Sequence, residues 1–425
     1  MSGGGLLRLA RASAWHRRFG LGLVLASIAL ATFLLLSVER GRVALREGFT
    51  QSISGTDLIV GARTGSVQLL LYSVFHLGSP TNNIRWRSVQ ALAADPAVAW
   101  VVPISLGDSH RGFPVVGTTP DYFRHVRHGE QRALELASGR AFAGLHEAVL
   151  GAEVAERLQA SLGQALVLRH GAGEIEGEDH ADQPVRVVGM LARTGTPVDR
   201  AVHVSLETLE AMHAGGLLGY RLPGRPSAPA RALAAEDLQP RAVTAALVGL
   251  KSRSAVFGMQ RRIADFRDEP LLAVLPGVAL DELWTAVAGI ERALVAMGAL
   301  VAAVSLAGLV AVVATGLEAR RQELAVLRSV GAGPPQVLAL LLLEGALVTA
   351  AGALLGLLAA QLGLWAFGPL LESRLGLSLP LRAPAAAELG WLAAVLLAGT
   401  LASLLPGWRA YRLALADGLS PGASA

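Results

Sequence analysis

The residues best suited to metal chemistry gather in one acidic stretch of the chain. His170 and His180 are accompanied there by carboxylates, which are Glu174, Glu176, Glu178, Asp179 and Asp182. Imidazole and carboxylate groups are common metal ligands, and His125 with His128 forms a second, smaller candidate pair. A solvated acidic loop with surface histidines explains the same residues more simply, so we expect no metal site.

Motifs for nucleotide or zinc-protease chemistry are absent from the sequence. It contains no Gly-x4-Gly-Lys-Ser/Thr, its single lysine is Lys251, and it has no His-Glu-x-x-His. It also lacks cysteine, which excludes disulfides and thiolate chemistry. A net charge of +4 is too small to indicate nucleic acid binding. We therefore predict a protein that is not an enzyme and binds no cofactor directly.

Four apolar segments dominate the chain. They are Phe19–Val38, Leu294–Leu317, Val337–Phe367 and Leu389–Leu405, and Glu344 is the only charge inside them. A helix needs about 20 apolar residues to cross the hydrocarbon core of a bilayer. The segments therefore predict an α-helical membrane protein with four transmembrane helices.

The spacing of these segments predicts the organisation of the whole chain. Its parts are a cytoplasmic amphipathic N-terminal helix (1–18), transmembrane helix 1 (19–38), an external α/β domain with its stalk (39–290), transmembrane helix 2 (291–317), a cytoplasmic connecting segment (318–333), transmembrane helix 3 (334–370), a short external loop (371–388), transmembrane helix 4 (389–408) and a cytoplasmic tail (409–425). The large domain is thus inserted between helices 1 and 2.

Arginine placement predicts the orientation, because arginine and lysine accumulate on the cytoplasmic side of short loops. Arginines cluster before helix 1, between helices 2 and 3 and after helix 4: Arg8, Arg11, Arg17, Arg18, Arg320, Arg321, Arg328, Arg409 and Arg412. Both termini are therefore expected to be cytoplasmic. Arg40 and Arg42 argue mildly against this, but long translocated domains weigh little in the rule. Residues 5–18, with Trp15, are expected to lie against membrane lipid.

The region between helices 1 and 2 has mixed α and β patterns. We predict strands at 57–61, 98–104, 113–117, 165–169 and 185–191, helical spacing over 147–158, and a helix over 253–266. Ser205 is the expected N-cap of a further helix, and 171–184 and 222–240 are expected to be loops.

The segment between helices 2 and 3 has the most specific local pattern. Residues 323–330 can form a two-turn helix with an apolar stripe that includes Leu324 and Leu327, which can dock in a groove of a partner. Its polar rim is Arg320, Arg321, Glu323 and Arg328, and Gly331-Ala332 ends it. A surface loop obeying the positive-inside rule explains the arginines, but not the stripe or the Gly-Ala stop.

This segment, with Glu344, Gly352 and Gly356 in the next helix and the closing Pro406-Gly407-Trp408-Arg409-Ala410, resembles the FtsX-like permease domain of MacB-, LolC/LolE- and FtsX-type (type VII) ABC proteins. Residues 147–158 are similar to part of the MacB-type periplasmic core domain. Gln322 departs from the arginine frequent in MacB-type members, which puts one partner contact in doubt.

The resemblance implies a permease subunit that works by mechanotransmission. A separate cytoplasmic ATPase dimer would bind ATP and Mg²⁺. Residues 318–333 would be the cytoplasmic coupling helix that carries its movement to the domain at 39–290, which would be periplasmic together with the short loop at 371–388. It implies a homodimer, or a pair with a similar permease, in the bacterial inner membrane, and a possible periplasmic adaptor or substrate-binding protein. The task would be efflux, lipoprotein or lipid trafficking, or regulation of an envelope process. The alternative is a membrane-anchored periplasmic sensor or scaffold without an ATPase.

Residues inside the membrane segments suit packing better than permeation. Ionisable groups usually mark a transport pathway, and Glu344 alone qualifies, for which we favour a structural role. Glycines at helix-packing spacing are Gly298, Gly308, Gly352 and Gly356.

Overall fold

A computed structural model describes residues 18–52, 54–78, 80–171, 183–213, 238–319, 333–375 and 382–418. Its contacts divide the chain into two compact units. The α/β unit consists mainly of Leu45–Val287, and the helical unit contains the chain before and after it. The predicted N-terminal helix, both predicted long loops and the coupling helix lie wholly or largely outside the described residues.

The helices are numbered in chain order. They are α1 (Arg18–Ser52), α2 (Ser66–Ser73), α3 (Trp86–Ala94), α4 (Asp121–His125), α5 (Ala152–Leu158), α6 (Leu206–His213), α7 (Val256–Ala264), α8 (Pro276–Ala319), α9 (Pro334–Leu375) and α10 (Ala386–Gly418). Short 3-10 turns occur at Pro197–Arg200 and Arg253–Ala255.

The strands are numbered in the same way. They are β1 (Leu58–Ala62), β2 (Ile84–Arg85), β3 (Val98–His110), β4 (Phe113–Thr118), β5 (Arg127–His128), β6 (Arg132–Ala133), β7 (Leu136–Gly139), β8 (Glu147–Leu150), β9 (Ala165–Leu166), β10 (Arg169–His170), β11 (Val185–Leu191), β12 (Val202–Ser205), β13 (Ala242–Val243), β14 (Ala245–Leu250) and β15 (Leu271–Val274).

Four helices are long and apolar enough to cross a membrane, which confirms that prediction. The qualifying stretches are Phe19–Ser52, Pro276–Thr315, Pro335–Gly368 and Ala386–Leu405. Their leucines are largely exposed, as Leu300 and Leu397 are, which suits a lipid environment. Two helices are longer than the spans assigned to them: α1 continues past residue 38 to Ser52, and α8 begins at Pro276, since proline is favoured in a first helical turn.

The α/β unit is organised by one mixed sheet of the described strands. Its order is β15-β1-β14-β3-β4-β12-β8-β11-β7, with β10 beside β3 and β9 beside β11. The pairs β8–β11 and β4–β12 are parallel, and the other pairs are antiparallel. Along β1, Ile59 points into one apolar cluster while Leu58 and Val60 point into another. Successive side chains of a strand face opposite sides, so the sheet is covered on both faces.

Residues 147–158 correct a sequence prediction. Helical spacing suggested one helix, but the structure has strand β8 followed by helix α5. Ala148, Val149 and Leu150 are fully buried between β11 and β12, and this tertiary pairing overrides the local pattern. Gly151 lies between the two elements. Glycine is needed at this position because a Cβ would overlap the carbonyl of Val198.

Most other local predictions agree with the structure. Strands β1, β4 and β11 lie where they were expected, and Ser205 caps α6 by accepting a hydrogen bond from the Thr208 amide at 3.1 Å. Strand β3 is longer than predicted and reaches His110, while the 165–169 strand is two short strands, β9 and β10. The helix predicted over 253–266 is a 3-10 turn followed by α7.

Candidate functional site

The predicted ATPase-contacting residues lie outside the described part of the chain. They are Arg320, Arg321, Glu323, Leu324, Leu327, Arg328, Gly331 and Ala332. Helix α8 ends just before them at Ala319, and α9 begins just after them at Pro334. Glu344, ten residues into α9, is 4% exposed. The coupling role of this segment and the structural role of Glu344 stay predictions.

Glycines allow α1 to approach two other helices closely. A Cβ on Gly298 of α8 would lie 2.6 Å from Leu35 Cδ2. On α9, a Cβ on Gly352 would lie 2.8 Å from Ile28 Cγ2, and one on Gly356 would lie 2.6 Å from the Ala29 carbonyl oxygen. Gly308 is looser, with Val24 Cγ2 at 4.0 Å. Small residues of this kind let helix backbones pack together in a membrane.

Helices α9 and α10 meet through a reciprocal pair of glycine contacts. A Cβ on Gly345 would overlap Ser403 of α10, and a Cβ on Gly399 would overlap Thr349 of α9. Each hydroxyl donates to a carbonyl of its own helix, Thr349 to Gly345 at 2.8 Å and Ser403 to Gly399 at 2.9 Å. The hydroxyl groups are therefore satisfied without a partner from outside. Gly399 was not among the glycines predicted to pack helices together. The signal that could have identified it is a glycine inside an apolar helix.

A charged layer, which we define as Arg40, Gln361, Glu388, Glu39, Arg42 and Glu291, joins all four long helices. Arg40 of α1 is 5% exposed and Glu388 of α10 is 1% exposed. The Arg40 Nε and Nη2 atoms donate to Glu388 Oε2 at 3.0 and 2.7 Å. Arg40 Nη1 donates to Gln361 Oε1 of α9 at 3.2 Å, and Gln361 Nε2 donates to the Arg382 carbonyl at 3.1 Å.

The second half of the charged layer links α1 to α8. Arg42 Nη2 donates to Glu39 Oε1 at 2.6 Å, and Arg42 Nη1 lies 3.1 Å from Glu291 Oε1. Sequence analysis treated Arg40 and Arg42 as charges that oppose the assigned orientation. Both are paired with carboxylates, so neither acts as a free positive charge. Partners 348 residues apart, as Arg40 and Glu388 are, give no local sequence signal.

The C-terminal end of α1 and the N-terminal end of α8 pack in the core of the α/β unit. Phe49 of α1 stacks on Phe75 with ring centroids 4.1 Å apart, and Trp284 of α8 meets Phe49 edge-on at 5.6 Å. The Arg46 guanidinium lies 5.3 Å from the centre of the Trp284 ring. Such aromatic and cation–π contacts add to the burial of the rings. This cluster, which we call the aromatic joint, fixes two helix ends to one core.

In the same unit, His203 is fully buried and His76 is half-buried. His203 Nε2 and His76 Nδ1 have no hydrogen-bond partner among the described residues. Burial disfavours the charged imidazolium, which lowers the pKa of His76 to about 4 and that of His203 to about 3. His203 packs against the ring of Tyr122 at 5.0 Å, and burial raises the pKa of this tyrosine. Both histidines are therefore neutral at ordinary pH.

A small cavity lies beside His76. Its volume of 20 Å³ is room for about one water molecule, and its lining includes Ser52, Ser73, His76 and Tyr122. This space is far smaller than that of an ordinary ligand site. It offers no room for a transported molecule.

The predicted metal candidates are not brought together in the described part of the chain. His170 Nδ1 lies 2.9 Å from Asp108 Oδ1 on the neighbouring strand, and His125 stacks on Trp100 at 5.0 Å. No group of three or more metal-ligating side chains occurs among the described residues. His180 and the acidic residues around it lie outside them.

Two family profiles match different parts of the chain. The profile of the MacB-like periplasmic core domain matches residues 21–250, and the profile of the FtsX-like permease C-terminal region matches residues 295–415. No curated protein gives a significant match.

Two solved structures are similar to part of the chain. The periplasmic region of MacB from Actinobacillus actinomycetemcomitans is 12% identical, with a TM-score of 0.34, over 56% of this chain and 96% of that chain. The extracellular domain of the noncanonic ABC-type transporter YknZ from Gram-positive bacteria is also 12% identical, with a TM-score of 0.30, over 52% of this chain and 98% of that chain.

Four apolar helices and a large mixed α/β domain define a membrane permease with a periplasmic core domain. Since one profile alone matches more than half of the chain and the other matches its C-terminal helices, the chain belongs to the MacB- and FtsX-like family of ABC transporter permeases. Members of this family are membrane subunits and typically non-catalytic, and the family implies an ATPase partner.

Proposed function

We propose that this chain couples ATP hydrolysis in a separate cytoplasmic ATPase to conformational change in its own periplasmic domain. The observation that carries the proposal is the course of α1 and α8. Each is a single helix with one end in the helical unit and the other in the α/β unit. At the aromatic joint, Phe49 and Trp284 fix both ends to one core. Two stiff helices held in this way can carry a displacement.

Substrate is handled outside the helical unit and does not cross through it. Among the described residues, most buried polar groups of the four helices serve their neighbours: Arg40 pairs with Glu388, and the Ser305, Thr349 and Ser403 hydroxyls donate to carbonyls of their own helices. The exception is the buried Thr32 hydroxyl of α1, which has no hydrogen-bond partner among the described residues. A permeation pathway needs polar groups that are available to the transported species. This arrangement supports a mechanical role over a channel.

The partners and orientation follow from this mechanism. The chain lies in the bacterial inner membrane with both termini cytoplasmic and the domain, inserted between helices 1 and 2, in the periplasm. It pairs with a second copy or a similar permease to match two ATPase subunits, which bind ATP and Mg²⁺. Its external task is efflux, lipoprotein or lipid trafficking, or regulation of an envelope process, with a periplasmic adaptor or substrate-binding protein where the task requires one.

Co-expression with the ATPase of the same gene cluster tests the proposal. Wild type should co-purify with that ATPase and raise its ATP turnover, and the double variant Glu323→Ala, Leu327→Asp should lose both. The matched control is Phe257→Asp, because Phe257 is an apolar residue of the α/β unit that is 74% exposed. It should behave as wild type. Absence of capture in every correctly inserted variant would contradict the proposal and favour a membrane-anchored sensor or scaffold.

A further inference from the structure

Arg40 is buried at a considerable energetic cost, which calls for an explanation. Removing two charges from water costs several kcal/mol per ion, and an apolar pair of similar size is often as stable. Arg40 and Glu388 are nevertheless 5% and 1% exposed. A buried ion pair is therefore poor support for a role in stability alone.

The geometry of Arg40 ties one helix to two others. Three of its nitrogens donate, two to Glu388 on α10 and one to Gln361 on α9. Gln361 is itself held by the Arg382 carbonyl that precedes α10. A lengthwise shift of α1 by one helical turn, about 5.4 Å, would break all of these bonds at once. The arrangement thus specifies one register of α1 against α9 and α10.

The second arginine of the charged layer has a different connection. Arg42 reaches Glu39 on its own helix and Glu291 on α8. Helix α8 already enters the α/β unit directly and needs no side-chain bridge to displace it. Helices α9 and α10 lie in the helical unit, apart from Leu375 at the end of α9, which is grouped with the α/β unit. The bonds to Arg40 give a displacement of α9 and α10 a route to α1, which itself continues into that unit.

We propose that Arg40 is a positioning residue that transmits movement of α9 and α10 to α1. The inference rests on the proposed function. Helix α9 begins directly after the predicted coupling segment, and Gln361 lies 27 residues further, about 40 Å along the helix. The bonds to Arg40 then pass the displacement to α1, whose Phe49 is fixed in the aromatic joint. The route through Arg40 thus adds to the direct course of α8 into the α/β unit.

Spin-label distances in the full chain with its ATPase test this role. The sequence has no cysteine, so Phe257→Cys and Leu397→Cys place single labels on two exposed positions, one in each unit. Labelled chain is diluted into unlabelled chain, so that only distances within one chain are measured. The distance is recorded without nucleotide and with ATP and Mg²⁺, and ATP turnover is measured on the same samples.

In Arg40→Gln we expect ATP turnover to stay near wild type while the nucleotide-dependent change in distance falls by at least half. The exchanged pair Arg40→Glu with Glu388→Arg should recover part of the change, which a loss of general packing would not allow. Arg42→Gln is the matched control and should keep most of the change. If Arg40→Gln does not insert, Gln361→Leu leaves the ion pair intact and should give the same result with a smaller loss.

Two results would overturn the inference. One is a full nucleotide-dependent change in Arg40→Gln and Gln361→Leu. The other is an equal loss in Arg40→Gln and Arg42→Gln with no recovery in the exchanged pair. A wild-type chain that neither stimulates the ATPase nor changes its distance would instead contradict the proposed function, so the two failures are distinguishable.

Discussion

The contacts inside the α/β unit differ in kind from the contacts inside the helical unit. The largest fully buried side chains of the α/β unit are bulky and include Tyr72, Phe142 and Leu150. The helical unit has an apolar cluster of its own around Ile28 and Leu341, but it adds close glycine contacts and one charged layer and leaves leucines such as Leu397 exposed. Water expels apolar surface into a core, whereas lipid does not. A leucine side chain is therefore expected to contribute differently to the free energy of unfolding in the two units.

Truncating one leucine in each unit tests this difference and should give the largest effect. Leu150 is fully buried, so Leu150→Ala should destabilise the protein by about 2–5 kcal/mol through lost burial and a cavity. Leu397 is 65% exposed on α10, so Leu397→Ala should cost less than about 0.5 kcal/mol. Unfolding of the full chain in detergent, followed by tryptophan fluorescence and circular dichroism, measures both. Equal losses would contradict the comparison.

Adding one methyl group to α9 should have the next largest effect. In Gly356→Ala the new Cβ would lie 2.6 Å from the Ala29 carbonyl oxygen and 2.6 Å from Thr32 Cβ, so α1 and α9 must separate. We expect a loss of about 1–3 kcal/mol. The matched control is Gly368→Ala on the same helix, where nothing lies within 4 Å of a Cβ. Helix propensity favours alanine over glycine at both positions, so an equal change in thermal stability in the two variants would mean that contact with α1 does not destabilise Gly356→Ala.

The two units also differ in how well their structure could be predicted from the sequence. Apolar length alone gave the four helices, because lipid requires long helices with satisfied backbones. The α/β unit was less predictable: residues 147–150 had helical spacing but form β8, since pairing with β11 and β12 decides their conformation. The Arg40–Glu388 pair could not be predicted, because it depends on two helices that meet from opposite ends of the chain.

Acid sensitivity should be confined to the α/β unit and should be of intermediate size. His203 has a pKa of about 3 when folded and 6.5 as the reference value, so the unfolded chain binds more protons between these values. Stability is therefore full above pH 6.5 and falls as the pH decreases toward 3, with a slope of up to about 1.4 kcal/mol per pH unit. Denaturation of the full chain at several pH values measures this slope.

His203→Phe identifies the source of that slope. Phenylalanine keeps a ring against Tyr122 and Phe123 but cannot bind a proton. The slope should decrease in this variant and persist in His128→Asn, a change at a half-buried position on β5. An unchanged slope in His203→Phe would assign the acid sensitivity to another group, for which His76 is the next variant.

The smallest change in stability should come from removing a solvent-exposed ion pair of the α/β unit. This pair contrasts with the buried Arg40–Glu388 pair between α1 and α10. Arg140 and Glu147 pair in the α/β unit with side chains 57% and 19% exposed. The Arg140 guanidinium lowers the pKa of Glu147 to about 2, with help from the Ala143 and Gly144 amides. Arg140→Ala should shift the melting temperature less than Gly356→Ala does, because exposed pairs contribute little and are screened by salt.

The pH and salt dependence of that small effect sharpens the comparison of the two pairs. The pKa of Glu147 is lowered from 4.5 to about 2 in the folded protein. Its contribution to stability is therefore full above pH 4.5 and is lost only as the pH falls toward 2. The difference between Arg140→Ala and wild type should thus be constant from pH 7 to 5 and shrink in high salt. The Arg40→Gln difference should not shrink with salt, because Arg40 and Glu388 are shielded from solvent. Equal salt sensitivity of the two pairs would mean that Arg40 is solvated in the membrane and does not fix the register of α1.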